Sequence, residues 1–151
     1  PYQIYELDSQ KVTRVVEALK QISPRAEDVG IAMGLENTIT AEQNLEIIDR
    51  VGSPMLQVYY DIGNSTSNGY DVPSEIRMLG KDRICEVHLK DNGKDVRHFE
   101  DPNAQVNWPE VVKALNDINY DKWYVIEESG RNKRFMEDTQ SNVAFAKRIL
   151  A

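Results

Sequence analysis

Apolar residues recur every three or four positions in five segments of the chain, the spacing of helices that bury one face. The first segment ends just before Pro24, which is typical of a helix end. Thr40 precedes the second segment with Gln43 three residues on, as in a capping box, and Gly52 follows it. The pattern therefore predicts five amphipathic helices. Their predicted positions are Val12, Val15, Val16, Leu19 and Ile22; Leu45, Ile48 and Val51; residues 72–79; Val111, Val112, Leu115 and Ile118 after the cap Asn107; and Phe135, Thr139, Val143, Ala146 and Leu150.

Short apolar runs rich in β-branched and aromatic residues lie between these helices, at 29–35, 55–60, 84–89 and 123–126. Apolar strands that alternate with amphipathic helices are typical of a parallel sheet with helices packed outside it. Polar stretches at 64–68 and 90–105 are predicted loops. The sequence therefore predicts an α/β fold, a helix followed by four strand–helix units, in a single domain that covers residues 1–151.

Four strand–helix units are half of the eight that close a TIM barrel. Three interpretations stay open: the C-terminal half of a longer protein, a small open sheet, or two copies that complete one barrel. The first and last strands would have unpaired edges, which promote association. We expect the isolated chain to form a homo-oligomer or to need a missing N-terminal half.

The composition is that of a globular protein: 151 residues, 40% of them hydrophobic and 28% charged. The net charge is −7 and the basic residues are scattered, which disfavours nucleic acid as a partner. No apolar run approaches the ~18 residues of a membrane helix, so we expect no membrane contact. The single cysteine, Cys85, excludes an intramolecular disulfide and fits a reducing compartment, so we predict a cytoplasmic protein.

A side chain able to bind a metal stands at the C-terminal end of each predicted strand. Glu36, Asp61 and Glu127 directly follow strands, and His88 lies near the end of its strand. They are 25, 27 and 39 residues apart, each about one strand–helix unit. Since the C-terminal ends of parallel strands lie on one side of a sheet, we expect the four to converge. Three carboxylates placed there would repel one another unless a cation neutralised them.

Carboxylates with one imidazole suit a divalent ion such as Mn²⁺, Mg²⁺, Co²⁺ or Zn²⁺, and the sequence does not choose among these. Each residue also has a structural interpretation, since a strand-end carboxylate is often a helix cap and a lone histidine is often structural. Asp61 could simply start an Asx turn before Gly63. A purely structural explanation would have to hold separately at four successive strand ends, so we favour one shared metal site.

Four strings around these residues resemble the sugar phosphate isomerase/epimerase family, the xylose-isomerase-like TIM barrels. They are Gly-Leu-Glu36-Asn-Thr, Val-Tyr-Tyr-Asp61-Ile-Gly-Asn-Ser, Glu-Val-His88-Leu-Lys-Asp-Asn and Tyr-Val-Ile-Glu127-Glu-Ser. The segment Val-Asn-Trp108-Pro-Glu-Val-Val-Lys-Ala-Leu is similar to the family's segment before its last strand. The resemblance runs from about residue 29 to residue 128, with a matching terminal helix.

This resemblance implies a (β/α)8 barrel to which the chain supplies strands five to eight. It implies one divalent metal, manganese among the candidates, held by Glu36, Asp61, His88 and Glu127. It also implies that Glu36 and Glu127 move the proton, as two glutamates do in the family's ketose 3-epimerases. One carboxylate would take a proton beside the carbonyl of a sugar or sugar phosphate, an enediolate would form, and the other would return the proton. The expected protein is a metal-dependent isomerase or epimerase of carbohydrate metabolism.

Three further residues are candidate substrate contacts. Epimerases of the family often have a histidine where this chain has Asn64, which can hydrogen-bond a hydroxyl but is a poor acid or base. Arg97 corresponds to a substrate-binding arginine in some members, with a solvated loop arginine as the equal alternative. Lys90 either reaches the site or lies on the surface. Glu86, two residues before the strand-end histidine, shares its face and is expected to pair with a basic residue inside the barrel.

Other functions stay open on the same scaffold. A lyase or dehydratase begins with the same proton abstraction, and a truncated, non-catalytic half-barrel would keep the ligands by descent. Metal-dependent AP endonucleases share the fold but use several metals and more histidines than His88 and His98, the two in this chain.

Overall fold

The computed structural model describes residues 9–92, 98–127 and 134–151. Within these ranges a helix is followed by four strand–helix units, with one extra short helix directly after the second strand. No helix in these ranges combines the length and the apolar character that crossing a membrane requires. The elements are α1 (Ser9–Val29), β1 (Met33–Leu35), α2 (Ala41–Val51), β2 (Leu56–Asp61), α3 (Ile62–Ser67), α4 (Val72–Arg83), β3 (Ile84–Leu89), α5 (Trp108–Asp117), β4 (Trp123–Ile126) and α6 (Phe135–Ile149).

The four strands form one sheet in the order β1-β2-β3-β4, and every neighbouring pair is parallel. Asp61 pairs with His88 across β2 and β3, and Leu89 pairs with Ile126 across β3 and β4. The C-terminal ends of the strands therefore lie level at one edge. Parallel strands in chain order with helices between them are successive units of a TIM barrel, so the predicted α/β class is confirmed.

The hydrophobic core lies between one face of the sheet and the helices. Alternate strand residues, such as Leu56, Val58 and Tyr60 on β2, are buried there together with Ile76 of α4. The other face is more open, and Trp123 on β4 is 74% exposed. In a closed barrel that face would line the interior.

The predicted caps around α2 are confirmed. Thr40 Oγ1 accepts the Gln43 N–H at 3.2 Å, and the Gln43 side chain accepts the Thr40 N–H at 3.0 Å. Gly52 ends the helix with φ 76°, a conformation that costs little only without a Cβ. Asn107 caps α5 as predicted. Local side-chain chemistry therefore sets where these helices start and stop.

The first helix is longer than its pattern predicts. It continues through Pro24, so the expected end before Pro24 is wrong, and the strand expected at 29–35 is present only over its last three residues. Proline removes one hydrogen bond from a helix. Beside it, the Ser23 hydroxyl donates to the Leu19 carbonyl at 2.7 Å, and Ala26 in the next turn is buried. We infer that packing of this last turn outweighs the lost bond.

The last helix is rotated away from part of its predicted stripe: Ala146 is buried and Thr139 and Leu150 are half-buried as expected, but two members of the stripe turn outward. Phe135 and Val143 belong to the predicted apolar stripe, yet they are 40% and 36% exposed. Asn142 is almost fully buried instead, and its side-chain oxygen accepts the Phe99 N–H at 2.8 Å. Phe145 is buried one turn further on. A specific polar contact thus contributes to the rotation of α6, and an apolar pattern cannot reveal it.

We predict that Gly63→Ala destabilises the protein, because α3 lies directly against the end of β3. A Cβ at Gly63 would lie 2.8 Å from the Lys90 carbonyl oxygen and 2.9 Å from Lys90 Cγ. Such overpacking costs about 1–3 kcal/mol of unfolding free energy, measurable by urea denaturation. Lys113→Ala, at an exposed position of α5, is the control and should change stability little. Equal stability of the two variants would contradict the prediction.

Candidate metal centre and acid–base site

The four strand-end residues lie at the same edge of the sheet. Glu36 directly follows β1, Asp61 ends β2, and His88 is the penultimate residue of β3. Glu127 follows β4, and its N–H still donates to the Leu89 carbonyl at 3.1 Å. The parallel ladder therefore places all four side chains at one level.

Potential ligand atoms of three of these residues converge. One atom each from Glu36, Asp61 and His88 lies within 4.8 Å of the other two. Glu127 joins from the β4 side, where its Oε2 is 3.3 Å from His88 Nδ1. The structure thus brings the four predicted residues together, with Glu127 beside the compact group of three.

His88 presents an unpartnered nitrogen to this cluster. Nδ1 is buried and forms no hydrogen bond within the described part of the chain. It lies 3.3 Å from Glu127 Oε2 and 3.7 Å from Asp61 Oδ2. The imidazole packs against the Tyr59 ring with centroids 4.0 Å apart, which limits its rotation. A fixed nitrogen beside two carboxylates is a suitable metal ligand.

Asp61 has one structural oxygen and one oxygen that faces the cluster. Oδ1 accepts the Asn64 N–H at 2.7 Å and so caps α3. The predicted loop at 64–68 is thus wrong over most of its length, because α3 extends to Ser67. The side chain of Asp61 is fully buried. The cap and the metal-ligand interpretations of Asp61 are compatible, since each uses a different oxygen.

Lys90 reaches into the same cluster. Its Nζ lies 2.9 Å from Glu127 Oε1, 3.3 Å from Asp61 Oδ2 and 3.4 Å from Asn64 Oδ1. Its side chain is 21% exposed. Of the two interpretations of Lys90, the structure selects the one in which the side chain reaches the site.

Asn64 connects the two sides of the site. Its Nδ2 donates to Glu36 Oε1 at 3.1 Å, while its Oδ1 accepts from Lys90 and, at 3.1 Å, from Asn92. Asn92 was not among the predicted site residues. The sequence signal that could have identified Asn92 is its position two residues after Lys90, close to the end of β3.

Burial and charge act in opposite directions on the ionisable groups. Burial raises the pKa of Asp61, although the Asn64 N–H and the Lys90 charge act against it. Burial would also raise the pKa of Glu127, but the hydrogen bond with Lys90, the Lys90 charge and the neighbouring His88 and Asp61 together outweigh burial and lower the pKa. Burial disfavours the charged form of Lys90, yet its contacts with Glu127 and Asp61 leave its pKa raised. In the structure one ammonium thus lies between two carboxylates.

Two other sequence-based expectations have different outcomes. Among the described residues, Glu86 forms no ion pair with a basic residue; instead the Tyr59 hydroxyl donates a hydrogen bond to it, and burial together with this carboxylate raises the pKa of Tyr59. Arg97 lies outside the described residues.

Comparison with known proteins identifies the family. The family model described as xylose isomerase-like TIM barrel matches residues 3–149. Protein MJ1311 of Methanocaldococcus jannaschii is 34% identical over 142 residues, which cover 84% of this chain and 48% of that protein. SgbU of Escherichia coli K12, provisionally named an L-ribulose-5-phosphate 3-epimerase, is 31% identical over 140 residues, which cover 83% of this chain and 49% of that protein. The chain belongs to the xylose isomerase-like TIM barrel family, as its strand-end strings predicted.

A solved structure of L-ribulose 3-epimerase has a TM-score of 0.80 to this chain at 22% identity, covering 99% of this chain and 57% of the other. At that identity the likeness concerns the fold. The chain spans about half the length of the curated relatives it matches.

Proposed function

We propose that this chain is the C-terminal half, strands five to eight, of a metal-dependent sugar or sugar phosphate epimerase or isomerase. The observation that carries the proposal is the convergence of Glu36, Asp61 and His88 within 4.8 Å, with Glu127 beside them. The names of two similar proteins, 3-epimerases of L-ribulose or its 5-phosphate, support a small ketose or ketose phosphate as the substrate.

The donor set fits one divalent ion. Glu36, Asp61, His88 and Glu127 would hold it, and oxygen donors with one nitrogen suit Mn²⁺, Mg²⁺, Co²⁺ or Zn²⁺. The buried His88 Nδ1 without a hydrogen bond, together with the Asp61 oxygen that faces the cluster, supports this assignment. When bound, the ion would stabilise the negative charge that develops on the substrate oxygens.

Glu36 and Glu127 are the proposed acid–base pair because they are accessible and lie on opposite sides. They follow the first and the last strand of the sheet, with Asp61 and His88 between them. Glu36 is exposed and the Glu127 side chain is 39% exposed, whereas the side chain of Asp61 is fully buried. One carboxylate would take the proton next to the ketose carbonyl, and the other would return it to the opposite face of the enediolate.

Asn64 and Lys90 are the proposed substrate contacts among the described residues. Both lie within hydrogen-bond reach of the acid–base pair, Asn64 at Glu36 and Lys90 at Glu127. Their donors can bind substrate hydroxyls or a carbonyl oxygen. Arg97 remains a proposed contact on the resemblance alone.

Solvent deuterium exchange tests the proposed chemistry. The full-length protein, loaded with Mn²⁺, is incubated in deuterated buffer with L-ribulose, with its 5-phosphate and with other ketoses. We expect deuterium at C3 for an epimerase or at C1 for an isomerase. Absence of incorporation into every ketose by a protein that binds the metal would contradict the proposal. Deuterium uptake accompanied by loss of water would identify a dehydratase instead.

We predict that residues 1–151 alone associate or remain poorly folded. The exposed sheet face, including Trp123, and the outer edges of β1 and β4, which pair with no further strand within the described ranges, are surfaces that a second half-barrel would cover. Sedimentation of residues 1–151 should show a homo-oligomer. Otherwise, a well-folded monomer should form only after an N-terminal half is added. A well-folded monomer of these residues by themselves would contradict the prediction.

A further inference from the structure

The Lys90 ammonium lies between two carboxylates of the candidate metal centre. Its Nζ bridges Glu127 Oε1 at 2.9 Å and Asp61 Oδ2 at 3.3 Å. Both carboxylates belong to the proposed ligand set. We infer that Lys90 is an internal competitor of the metal: it holds the ligands together when the metal is absent and leaves Asp61 when the metal binds. This inference rests on the proposed metal site.

The competition concerns one oxygen in particular. Asp61 Oδ1 already accepts the Asn64 N–H at 2.7 Å, a bond that caps α3. Oδ2 is therefore the oxygen left for a metal, and it is the atom to which Lys90 donates. The Asp61 side chain is fully buried, so water does not readily replace a lost partner.

The charges of the site explain why a resident cation is useful. Three carboxylates, those of Glu36, Asp61 and Glu127, meet at the ends of the strands. Without a cation they would repel one another, and burying Asp61 in its charged form would be costly. The ammonium neutralises part of this charge, so the ligands stay close together in the metal-free protein. A divalent ion supplies the same neutralisation, and the ammonium is then no longer needed at Asp61.

Lys90 is also placed where it can move. It is the first residue after β3, its side chain is partly exposed, and its flexible four-carbon stem passes Gly63. The stem would lie 2.9 Å from a Cβ at Gly63, so the absence of a side chain there leaves room for it. A rotation about the stem would carry the ammonium away from Asp61 while it stays near the mouth of the site.

Metal titration of the full-length protein tests this inference. Mn²⁺ binding is measured by calorimetry for the unchanged protein and for Lys90→Met and Lys90→Gln. If the ammonium occupies the site in most metal-free molecules, only the remaining fraction of molecules can bind the metal. The apparent dissociation constant is then the intrinsic constant divided by that fraction. We therefore expect both variants to bind Mn²⁺ about tenfold more tightly or better, and their metal-free forms to melt at a lower temperature. Lys113→Met, which removes an exposed lysine on α5, is the control and should leave the affinity unchanged.

The outcomes separate this inference from the proposed function. If the unchanged protein binds Mn²⁺ and the Lys90 variants bind it equally well or more weakly, the competition is refuted and the metal site stands. If neither the unchanged protein nor the variants bind any of the four ions, the metal site itself is refuted. A structure of the Mn²⁺-loaded protein provides a check without substitutions. Lys90 Nζ should lie beyond hydrogen-bond distance from Asp61 Oδ2, and retention of that contact would overturn the inference.

Discussion

Replacing Asp61 by asparagine is expected to abolish metal binding at the site while leaving the fold intact. Asparagine caps helices as well as aspartate does, so the bond from the Asn64 N–H that starts α3 should survive. The negative charge on the second oxygen would be lost, and an amide is a much weaker metal ligand. Loss of a residue that merely orients a ligand weakens metal affinity about 10–100-fold, so loss of this buried ligand should exceed 100-fold.

The measurement is metal content by elemental analysis, with Mn²⁺ affinity by calorimetry and the fold by circular dichroism. Asp71→Asn is a matched control, because Asp71 caps α4 through the Ser74 N–H at 3.1 Å and is not one of the proposed ligands. It should leave the metal affinity unchanged. Asp61→Ala should lose both the metal and part of the stability. Normal metal affinity of Asp61→Asn would rule out Asp61 as a ligand.

Replacing either proposed acid–base residue, Glu36→Gln or Glu127→Gln, should slow epimerisation of a ketose about 10²–10⁴-fold, the usual contribution of one acid or base. Each glutamate would serve one face of the reacting carbon. Each variant should therefore still exchange the substrate proton of one epimer with solvent but not that of the other. The two variants should differ in which epimer is exchanged.

Deuterium exchange of each purified epimer measures this difference, at metal concentrations that saturate each variant. Saturation matters because both glutamates are also proposed ligands. Glu86→Gln is the control: Glu86 is a carboxylate on β3 that hydrogen-bonds Tyr59 and lies outside the proposed set. It should leave the exchange of both epimers near the unchanged rate. Loss of exchange for the same epimer in both glutamate variants would contradict the two-base assignment.

The local sequence was enough to predict the class of fold and the strand ends. Periodicity distinguishes strands from helices because each element must bury one face, and 84–89 and 123–126 were predicted to the residue. The capping box at Thr40 was predicted because it depends on side chains within one turn. Such features need no knowledge of what packs against them.

Errors arose where a distant contact decides the outcome. Pro24 indicates a helix end, but α1 continues because its next turn is buried. The apolar stripe of α6 indicates one face, but Asn142 is buried through a bond to Phe99, which is 43 residues away in sequence. Which face of a helix points inward therefore depends on tertiary contacts whenever a buried polar hydrogen bond competes with apolar packing.

For the candidate site, the sequence by itself predicted which four strand-end residues meet. Glu36, Asp61, His88 and Glu127 each lie at or next to the C-terminal end of a strand, and parallel strands bring such positions to one edge. Only the tertiary structure decided how each atom is used. One oxygen of Asp61 caps a helix while the other meets Lys90, whose position in the site the sequence left open. The reason is physical: strand order fixes which residues meet, whereas burial, hydrogen bonds and charge balance among the assembled side chains fix what each of them contacts.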